Sequence, residues 1–231
     1  MEKFKQDLIM FLVRTGALKF GEFTLKSGRQ SPYFINAGSF KTGGQIEALG
    51  NFYADCIMSQ NAKDDFDILF GPAYKGIPLC VSAAGALYRK YNIDKQYCFN
   101  RKEIKQHGEG GMFVGASLAD GDRLAIIEDV ISAGTQARES VSLLRGHADV
   151  KIKHMFILVD RLEAGYNGKT APQEIEEEFG IFVHPIVNVR EIIDFLHNRE
   201  LDGKVALNDT QREKMERYLE TYCVGDAEPK S

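Results

Sequence analysis

Residues 123–140 read RLAIIEDVISAGTQARES, and this stretch decides the fold class. An apolar run over residues 124–128 ends in two adjacent carboxylates, Glu128 and Asp129, and a few small or polar residues follow before Thr135. A continuous apolar run of this length predicts a strand that is buried on both faces of a parallel sheet. Because ligands of such sheets bind outside the carboxyl ends of the strands, we expect both acids to face a ligand.

The two acids and the residues after them indicate what that ligand is. Neighbouring buried carboxylates are costly unless they meet a cation, hydrogen-bond donors or the hydroxyl groups of a ligand. A helix that begins at Thr135 would offer its first N–H groups and its positive dipole end to an anion. A ribose 5-phosphate suits both, because it carries adjacent hydroxyl groups and a phosphate. The alternative is an ordinary strand-to-helix turn with solvated acids, which the register of strand, acids and small loop disfavours.

Strand-like and helix-like segments alternate along the middle of the chain. Strands are predicted at residues 67–70, 96–100, 124–128, 154–160 and 181–185, and helices at 76–91 and 135–145. This alternation predicts an α/β fold with a mostly parallel sheet flanked by helices.

The two ends of the chain differ from its middle. The N-terminal part predicts a helix, a strand, a turn and a second strand at residues 3–14, 19–25, 26–32 and 33–37. The C-terminal part predicts one last helix from residue 209 to 223 and then a frayed tail. We therefore expect one domain with an N-terminal hood and cap in residues 1–60, a core in residues 61–208, and a C-terminal helix and tail in residues 209–231.

The composition narrows the partners and the compartment. The chain has 231 residues, with 29 Lys and Arg against 33 Asp and Glu, and its net charge of -4 disfavours a nucleic-acid partner. No apolar stretch approaches the roughly 20 residues that cross a bilayer, and the N-terminus lacks the apolar core of a signal peptide. The cysteines form no CxxC pair, so we expect free thiols in a reducing compartment, the cytoplasm.

A second stretch, FNRKEIKQHGEGG at residues 99–111, concentrates positive charge. Arg101, Lys102, Lys105 and His107 lie close together, and glycines follow them. Because glycines disfavour a helix, we expect a mobile loop whose cations bind an anionic ligand beyond the preceding strand. A solvated surface loop is the alternative.

The stretch at 123–140 resembles the phosphoribosyl-diphosphate binding motif of type I phosphoribosyltransferases. The resemblance implies the fold of that family with a small N-terminal hood, and it implies that Glu128 and Asp129 contact the ribose hydroxyls. It also implies that the phosphate-binding segment around them consists of Val130, Ile131, Ser132, Ala133, Gly134, Thr135 and Gln136.

The basic stretch resembles the flexible catalytic loop of one branch of that family, the orotate phosphoribosyltransferases. The resemblance implies a homodimer in which residues 101–111 are shared across subunits and close over the diphosphate. It implies that Lys102 acts in its own subunit's site, and that the neighbour's site is reached by Arg101, Lys105 and His107.

A third stretch, LFGPAYKGIPL at residues 69–79, resembles the diphosphate loop of the same enzymes. Tyr74 and Lys75 stand at its contact positions. Gly71 and Gly76 are expected to adopt unusual backbone angles where the chain passes close to a ligand.

Two further stretches resemble the orotate-binding parts of these enzymes. They are FTLKSGRQSPYFINAG, which has Ile where a second aromatic residue is usual, and VDRLEAG. The residues implied at orotate-contact positions are Lys26, Phe34, Ile35, Ser132 and Arg161.

Taken together, the resemblance implies a reaction and its catalytic residues. The 5-phosphoribosyl group of 5-phosphoribosyl 1-diphosphate would pass to orotate, which gives orotidine 5'-phosphate and diphosphate in pyrimidine biosynthesis. Catalytic roles are implied for Lys102, Lys105, Glu128 and Asp129, with Mg²⁺ held mainly by substrate oxygens and by no direct protein ligand. Two alternatives stay open, a purine phosphoribosyltransferase and a non-catalytic regulator that binds phosphoribosyl diphosphate.

Overall fold

The computed structural model describes residues 1–25, 28–105, 111–131, 134–165 and 167–224, with only the backbone of residues 104–105. The helices are α1 Lys3–Arg14, α2 Gly43–Ser59, α3 Gly76–Tyr91, α4 Thr135–His147, α5 Ala171–Phe179, α6 Val189–Leu196 and α7 Asp209–Tyr222. The strands are β1 Leu18–Thr24, β2 Gln30–Ile35, β3 Ile68–Gly71, β4 Gln96–Lys105, β5 Gly111–Gly115, β6 Arg123–Ile131, β7 Lys151–Asp160, β8 Phe182–Asn188, β9 Glu200–Leu201 and β10 Lys204–Val205.

A six-stranded sheet in the order β5-β4-β3-β6-β7-β8 forms the centre of the molecule. All neighbouring pairs are parallel except β4 and β5. Successive residues of β6 bury on opposite faces, since Ala125 and Ile127 join one hydrophobic cluster while Leu124 and Ile126 join the other. The predicted α/β fold with a mostly parallel sheet flanked by helices is confirmed.

Strand β6 is longer than predicted, and this changes where the two acids lie. It pairs with β7 as far as Ile131, but it pairs with the shorter β3 only as far as Ile126. The prediction that the strand ends at Glu128 is therefore wrong. Glu128 and Asp129 lie inside β6 but beyond the end of β3, which leaves a crevice on that side.

The basic stretch also differs from its prediction. Residues 101–105 continue strand β4, and Gly111 opens the antiparallel edge strand β5, which the sequence did not predict. The strand extends because β5 supplies pairing partners such as Phe113, which pairs with Asn100. The two ends of the predicted loop 101–111 therefore lie in strands β4 and β5. Residues 106–110 lie outside the described residues.

The N-terminal hood is a separate two-stranded antiparallel sheet of β1 and β2. Strand β2 begins at Gln30, so the predicted start at residue 33 is wrong. Helix α7 packs on β2, where Tyr33 and Tyr218 meet edge to face with ring centroids 5.8 Å apart. Helix α2, which the sequence did not predict, packs against α3.

Two findings bear on the remaining predictions. All four cysteines are free thiols, as predicted, and burial raises the pKa of Cys80 and Cys98 to about 12. Within the described ranges, no helix has both the length and the hydropathy that spanning a bilayer requires. The domain boundaries at residues 60 and 208 stay predictions.

Candidate active site

The carboxyl edge of the sheet brings most of the predicted site residues together. Lys75 follows β3, Arg101 lies in β4, Asp129 lies in β6 and Arg161 follows β7. Parallel strands end at the same edge, which is where ligands of such sheets bind. Residues 26–27, 106–110 and 132–133 lie outside the described residues, so the predictions for Lys26, His107, Ser132 and Ala133 are not placed.

Asp129 and Lys75 form an ion pair across this edge. Lys75 Nζ lies 3.1 Å from Asp129 Oδ2, and Asp129 Oδ1 accepts a hydrogen bond from the Val130 N–H at 2.8 Å. Asp129 is 8% exposed, whereas the Lys75 side chain is more than half exposed. A buried carboxylate thus binds an exposed cation, and a negatively charged ligand that approaches Lys75 would compete with Asp129 for it.

Glu128, the second buried acid, has no cation partner like that of Asp129 among the described residues. It is 3% exposed, its Oε1 accepts a hydrogen bond from the Asp129 N–H at 3.1 Å, and its buried Oε2 has no partner among the described residues. Burial and then the charge of Asp129 raise the pKa of Glu128 to about 8. Burial therefore favours the protonated form of Glu128, which can both donate and accept a hydrogen bond.

Tyr53 fixes the backbone beneath this acid. Its hydroxyl donates to the Glu128 carbonyl oxygen at 2.7 Å, and its side chain is fully buried. The contact joins α2 to β6 at the position of the acid pair. No local sequence signal pointed to it, because the two residues are far apart in the chain.

The loop after β3 is built on close backbone contacts. A Cβ atom on Gly71 would lie 2.3 Å from the Gly76 carbonyl oxygen, and neither glycine has a positive φ. The prediction of unusual backbone angles is therefore wrong, because close packing of the loop on itself requires these glycines. The Ala73 N–H donates to Asn100 Oδ1 at 2.9 Å, which ties the loop to β4.

Cations and an aromatic ring surround the outer part of this loop. Lys102 Nζ lies 4.9 Å from the centroid of the Tyr74 ring, and Tyr74 is largely exposed. Arg101 is half-buried, and its Nε is buried without a partner in the described part of the chain. The side chain of Lys105 is not described. Lys75 and Lys102 thus place positive charge beside Tyr74, the first in sequence and the second in space, and Arg101 lies next to Lys102 in β4.

Helix α4 begins shortly after β6 and its two acids. Gly134 has φ +73, and helix α4 begins after it without a side-chain cap from any described residue. Thr135 and Gln136 are exposed, while Ile131 is buried in the core. The first N–H groups of this helix are therefore the donors that the segment offers to an anion.

Arg161 is buried rather than exposed, at the junction of the sheet, the hood and α7. Its guanidinium lies 2.7 Å from the Glu163 carboxylate and 4.7 Å from the centroid of the Tyr33 ring. The Tyr33 hydroxyl is buried and has no partner among the residues described. The sequence did not predict a role for Glu163, although its position two residues after Arg161 could have indicated the pair.

The hood residues Phe34 and Ile35 do not share a surface. Phe34 is exposed and stacks on Phe23 with centroids 5.5 Å apart, whereas Ile35 is buried in the core. Neighbouring residues of a strand point to opposite faces, and here Phe34 lies on the exposed face of β2 while Ile35 lies on its buried face.

Comparisons with known proteins identify relatives of the whole chain. An orotate phosphoribosyltransferase from Clostridium acetobutylicum is 46% identical over 224 residues, which cover 97% of this chain and 100% of that protein. A crystal structure of orotate phosphoribosyltransferase from Francisella tularensis has a TM-score of 0.78 and 39% identity, and the match covers 94% of this chain and 99% of that one.

A more distant structure shows the fold alone. It is an orotate phosphoribosyltransferase from Mycobacterium tuberculosis in complex with 5-phospho-alpha-D-ribosyl 1-diphosphate, with a TM-score of 0.61 and 17% identity over 82% of this chain and 98% of that one. No family model matches the sequence.

Proposed function

The chain belongs to the orotate phosphoribosyltransferase family and is therefore a phosphoribosyltransferase enzyme, and we propose how its residues carry out the transfer. The 5-phosphoribosyl group of 5-phosphoribosyl 1-diphosphate passes to a ring nitrogen of orotate, which gives orotidine 5'-phosphate and diphosphate in pyrimidine biosynthesis. The observation that carries the assignment of the site is the buried acid pair Glu128 and Asp129 beside Lys75, at the carboxyl edge of the sheet.

The sugar and its phosphate bind between β6 and α4. The carboxyl groups of Glu128 and Asp129 form hydrogen bonds with the ribose 2- and 3-hydroxyls. The uncapped start of α4 and the loop before it, residues 130–136, bind the 5-phosphate through main-chain N–H groups. Binding of the hydroxyls would give Glu128 Oε2 the partner that it lacks among the described residues.

The diphosphate binds on the side of β3 and β4. Lys75 leaves Asp129 for the diphosphate, and Tyr74 and Lys102, which are in contact, bind beside it. Arg101 is proposed for the same ligand from the resemblance. As the bond to the leaving group breaks, the sugar ring gains positive charge and the diphosphate gains negative charge. The cations stabilise the diphosphate, and Asp129 stabilises the ring once Lys75 has turned away.

Mg²⁺ fits this site as a cation held mainly by the substrate. No group of three or more His, Cys, Asp or Glu side chains in the described ranges is arranged to hold a metal ion. The diphosphate oxygens and the ribose hydroxyls, which Glu128 and Asp129 would hold, are the oxygen ligands that Mg²⁺ prefers, so no direct protein ligand is needed. When bound, Mg²⁺ supplies charge neutralisation to the diphosphate.

Orotate binds under the hood, near Arg161. The planar guanidinium suits a carboxylate, which orotate carries and which uracil and the purine bases lack. Phe34 is the exposed aromatic side chain of β2 that can stack on the ring. Lys26 and Ser132 are proposed for the same site from the resemblance alone.

The enzyme is proposed to act as a cytoplasmic homodimer. Helix α3 exposes Val81 and Tyr88, which lie on one face seven residues apart, and β4 exposes Tyr97. An apolar surface next to the β4–β5 hairpin suits an interface across which residues 101–111, including Lys105 and His107, reach the second site. The buried free thiols suit a reducing compartment.

One assay tests the proposal. The ultraviolet absorbance of orotate should fall only when phosphoribosyl diphosphate and Mg²⁺ are both present. Adenine, hypoxanthine and uracil serve as control bases, since a purine enzyme would consume one of the first two. Consumption of no base, together with tight binding of phosphoribosyl diphosphate, would instead indicate a regulator. We expect consumption of orotate, because orotate phosphoribosyltransferases match nearly the whole chain.

A further inference from the structure

Glu163 connects three parts of the fold around Arg161. Its Oε1 accepts hydrogen bonds from Arg161 Nε at 2.9 Å and from the Tyr218 hydroxyl at 2.7 Å. Its Oε2 lies 3.9 Å from Arg29 Nη1 of the hood. The Glu163 side chain is only 10% exposed, so a buried carboxylate binds groups from the end of β7, from the hood and from α7.

Hydrogen bonds also hold the backbone of Leu162, the residue after Arg161. Leu162 has φ +57, which residues with side chains rarely adopt. Its N–H donates to Asp160 Oδ1 at 2.8 Å, and its carbonyl oxygen accepts from the Val224 N–H at 3.0 Å. Such a conformation persists where the surrounding structure determines it. Tyr218 of α7 therefore contacts the Arg161 side chain, and Val224 holds the backbone of the next residue, Leu162.

Among the described residues, the hydrogen bonds of the Arg161 guanidinium are all on the edge that carries Nε and Nη2. Arg161 Nε and Nη2 both lie within 2.9 Å of Glu163 Oε1. Nη2 also lies 3.5 Å from the Tyr218 hydroxyl. A guanidinium has five N–H groups in a fixed fork, so the edge that carries Nη1 keeps its donors for another acceptor. An Arg held in this way needs no reorganisation when a carboxylate arrives.

We infer that Glu163, held by Tyr218, is a positioning residue for substrate recognition, because it fixes the Arg161 guanidinium with its free edge towards the carboxylate of orotate. The inference rests on the proposed function, which assigns Arg161 to that carboxylate. It gives helix α7, in which the sequence showed no functional signal, a part in the choice of the base.

The test compares two nucleotides that differ only in the carboxylate, orotidine 5'-phosphate and uridine 5'-phosphate. Their affinities for the full chain are measured by titration calorimetry. Tyr218→Phe keeps the ring and removes the hydroxyl, and it should weaken orotidine 5'-phosphate binding about fivefold while uridine 5'-phosphate binding stays unchanged. Glu163→Gln should weaken it at least as much. Tyr222→Phe, on the same helix, is the matched control and should change neither affinity.

The outcomes separate this inference from the proposed function. If Tyr218→Phe and Glu163→Gln leave the ratio of the two affinities unchanged while Arg161→Ala lowers it, the inference is wrong and the role of Arg161 stands. If Arg161→Ala also leaves the ratio unchanged, the assignment of Arg161 fails and the inference falls with it. Equal losses for both nucleotides would indicate a merely structural role and would also overturn the inference.

Discussion

Glu128 should lose its proton near pH 8, and this loss should be visible in the stability of the protein. Burial and the charge of Asp129 raise its pKa from 4.5 to about 8. Between these two pH values, the folded protein keeps a proton that the unfolded chain releases. The stability that this group contributes is therefore complete below pH 4.5 and is lost as the pH rises through about 8.

The size of the effect follows from the shift. Each pH unit between the two pKa values costs up to ~1.4 kcal/mol of unfolding free energy. From pH 4.5 to about 8 the total is up to ~5 kcal/mol, at 1.36 kcal/mol for each pH unit. Other buried groups also titrate, such as Asp160, whose pKa burial raises to about 6. A variant that lacks only the Glu128 carboxyl group is therefore needed to isolate its contribution.

Glu128→Gln is that variant, since the amide keeps the shape and cannot titrate. Urea unfolding followed by circular dichroism, from about pH 5 to about pH 9, gives the unfolding free energy of both proteins. The variant should gain several kcal/mol relative to the wild type as the pH rises. Glu139→Gln, at an exposed carboxyl group on α4, should show no such trend. A constant difference between Glu128→Gln and the wild type would refute the reasoning, because Glu128 would then have no raised pKa.

Three more substitutions test other contacts of the crevice. Tyr53→Phe removes the hydrogen bond to β6 and should lower the unfolding free energy by about 1 kcal/mol, whereas Tyr88→Phe on the exposed face of α3 should not. Gly71→Ala puts a Cβ 2.3 Å from a backbone oxygen and should cost about 3 kcal/mol in the same urea assay, while Gly43→Ala, in open space, should be tolerated. Lys105→Ala should lower the turnover number far more than the affinity for orotate, and an unchanged turnover number would contradict its role.

The central part of the fold could be predicted because its signals are local. The apolar run before Glu128 and the small residues before Thr135 define a strand and a helix start within 18 residues, from 123 to 140. The extent of β6 could not be predicted, because its last residues pair with β7 but not with β3. The pairing of β4 with β5 could not be predicted either, because it depends on contacts between two strands. The glycines of the hairpin disfavour regular structure locally, while pairing across the hairpin favours it.

In the candidate site, too, single residues could be predicted from local stretches, whereas contacts between distant residues could not. Lys75 and Asp129 could be predicted as site residues from their stretches, but the ion pair between them joins residues 54 positions apart. The partners of Arg161 come from its own motif and from α7, 57 positions away. Phe34 and Ile35 could have been separated from the sequence, because alternation along a strand places neighbours on opposite faces.

The most direct test is a crystal structure of this protein with 5-phosphoribosyl 1-diphosphate and Mg²⁺. We expect the ribose hydroxyls at hydrogen-bonding distance from Glu128 and Asp129, the 5-phosphate at the first turn of α4, and Lys75 turned from Asp129 to the diphosphate. A sugar phosphate bound elsewhere, with the ion pair between Lys75 and Asp129 intact, would contradict the account.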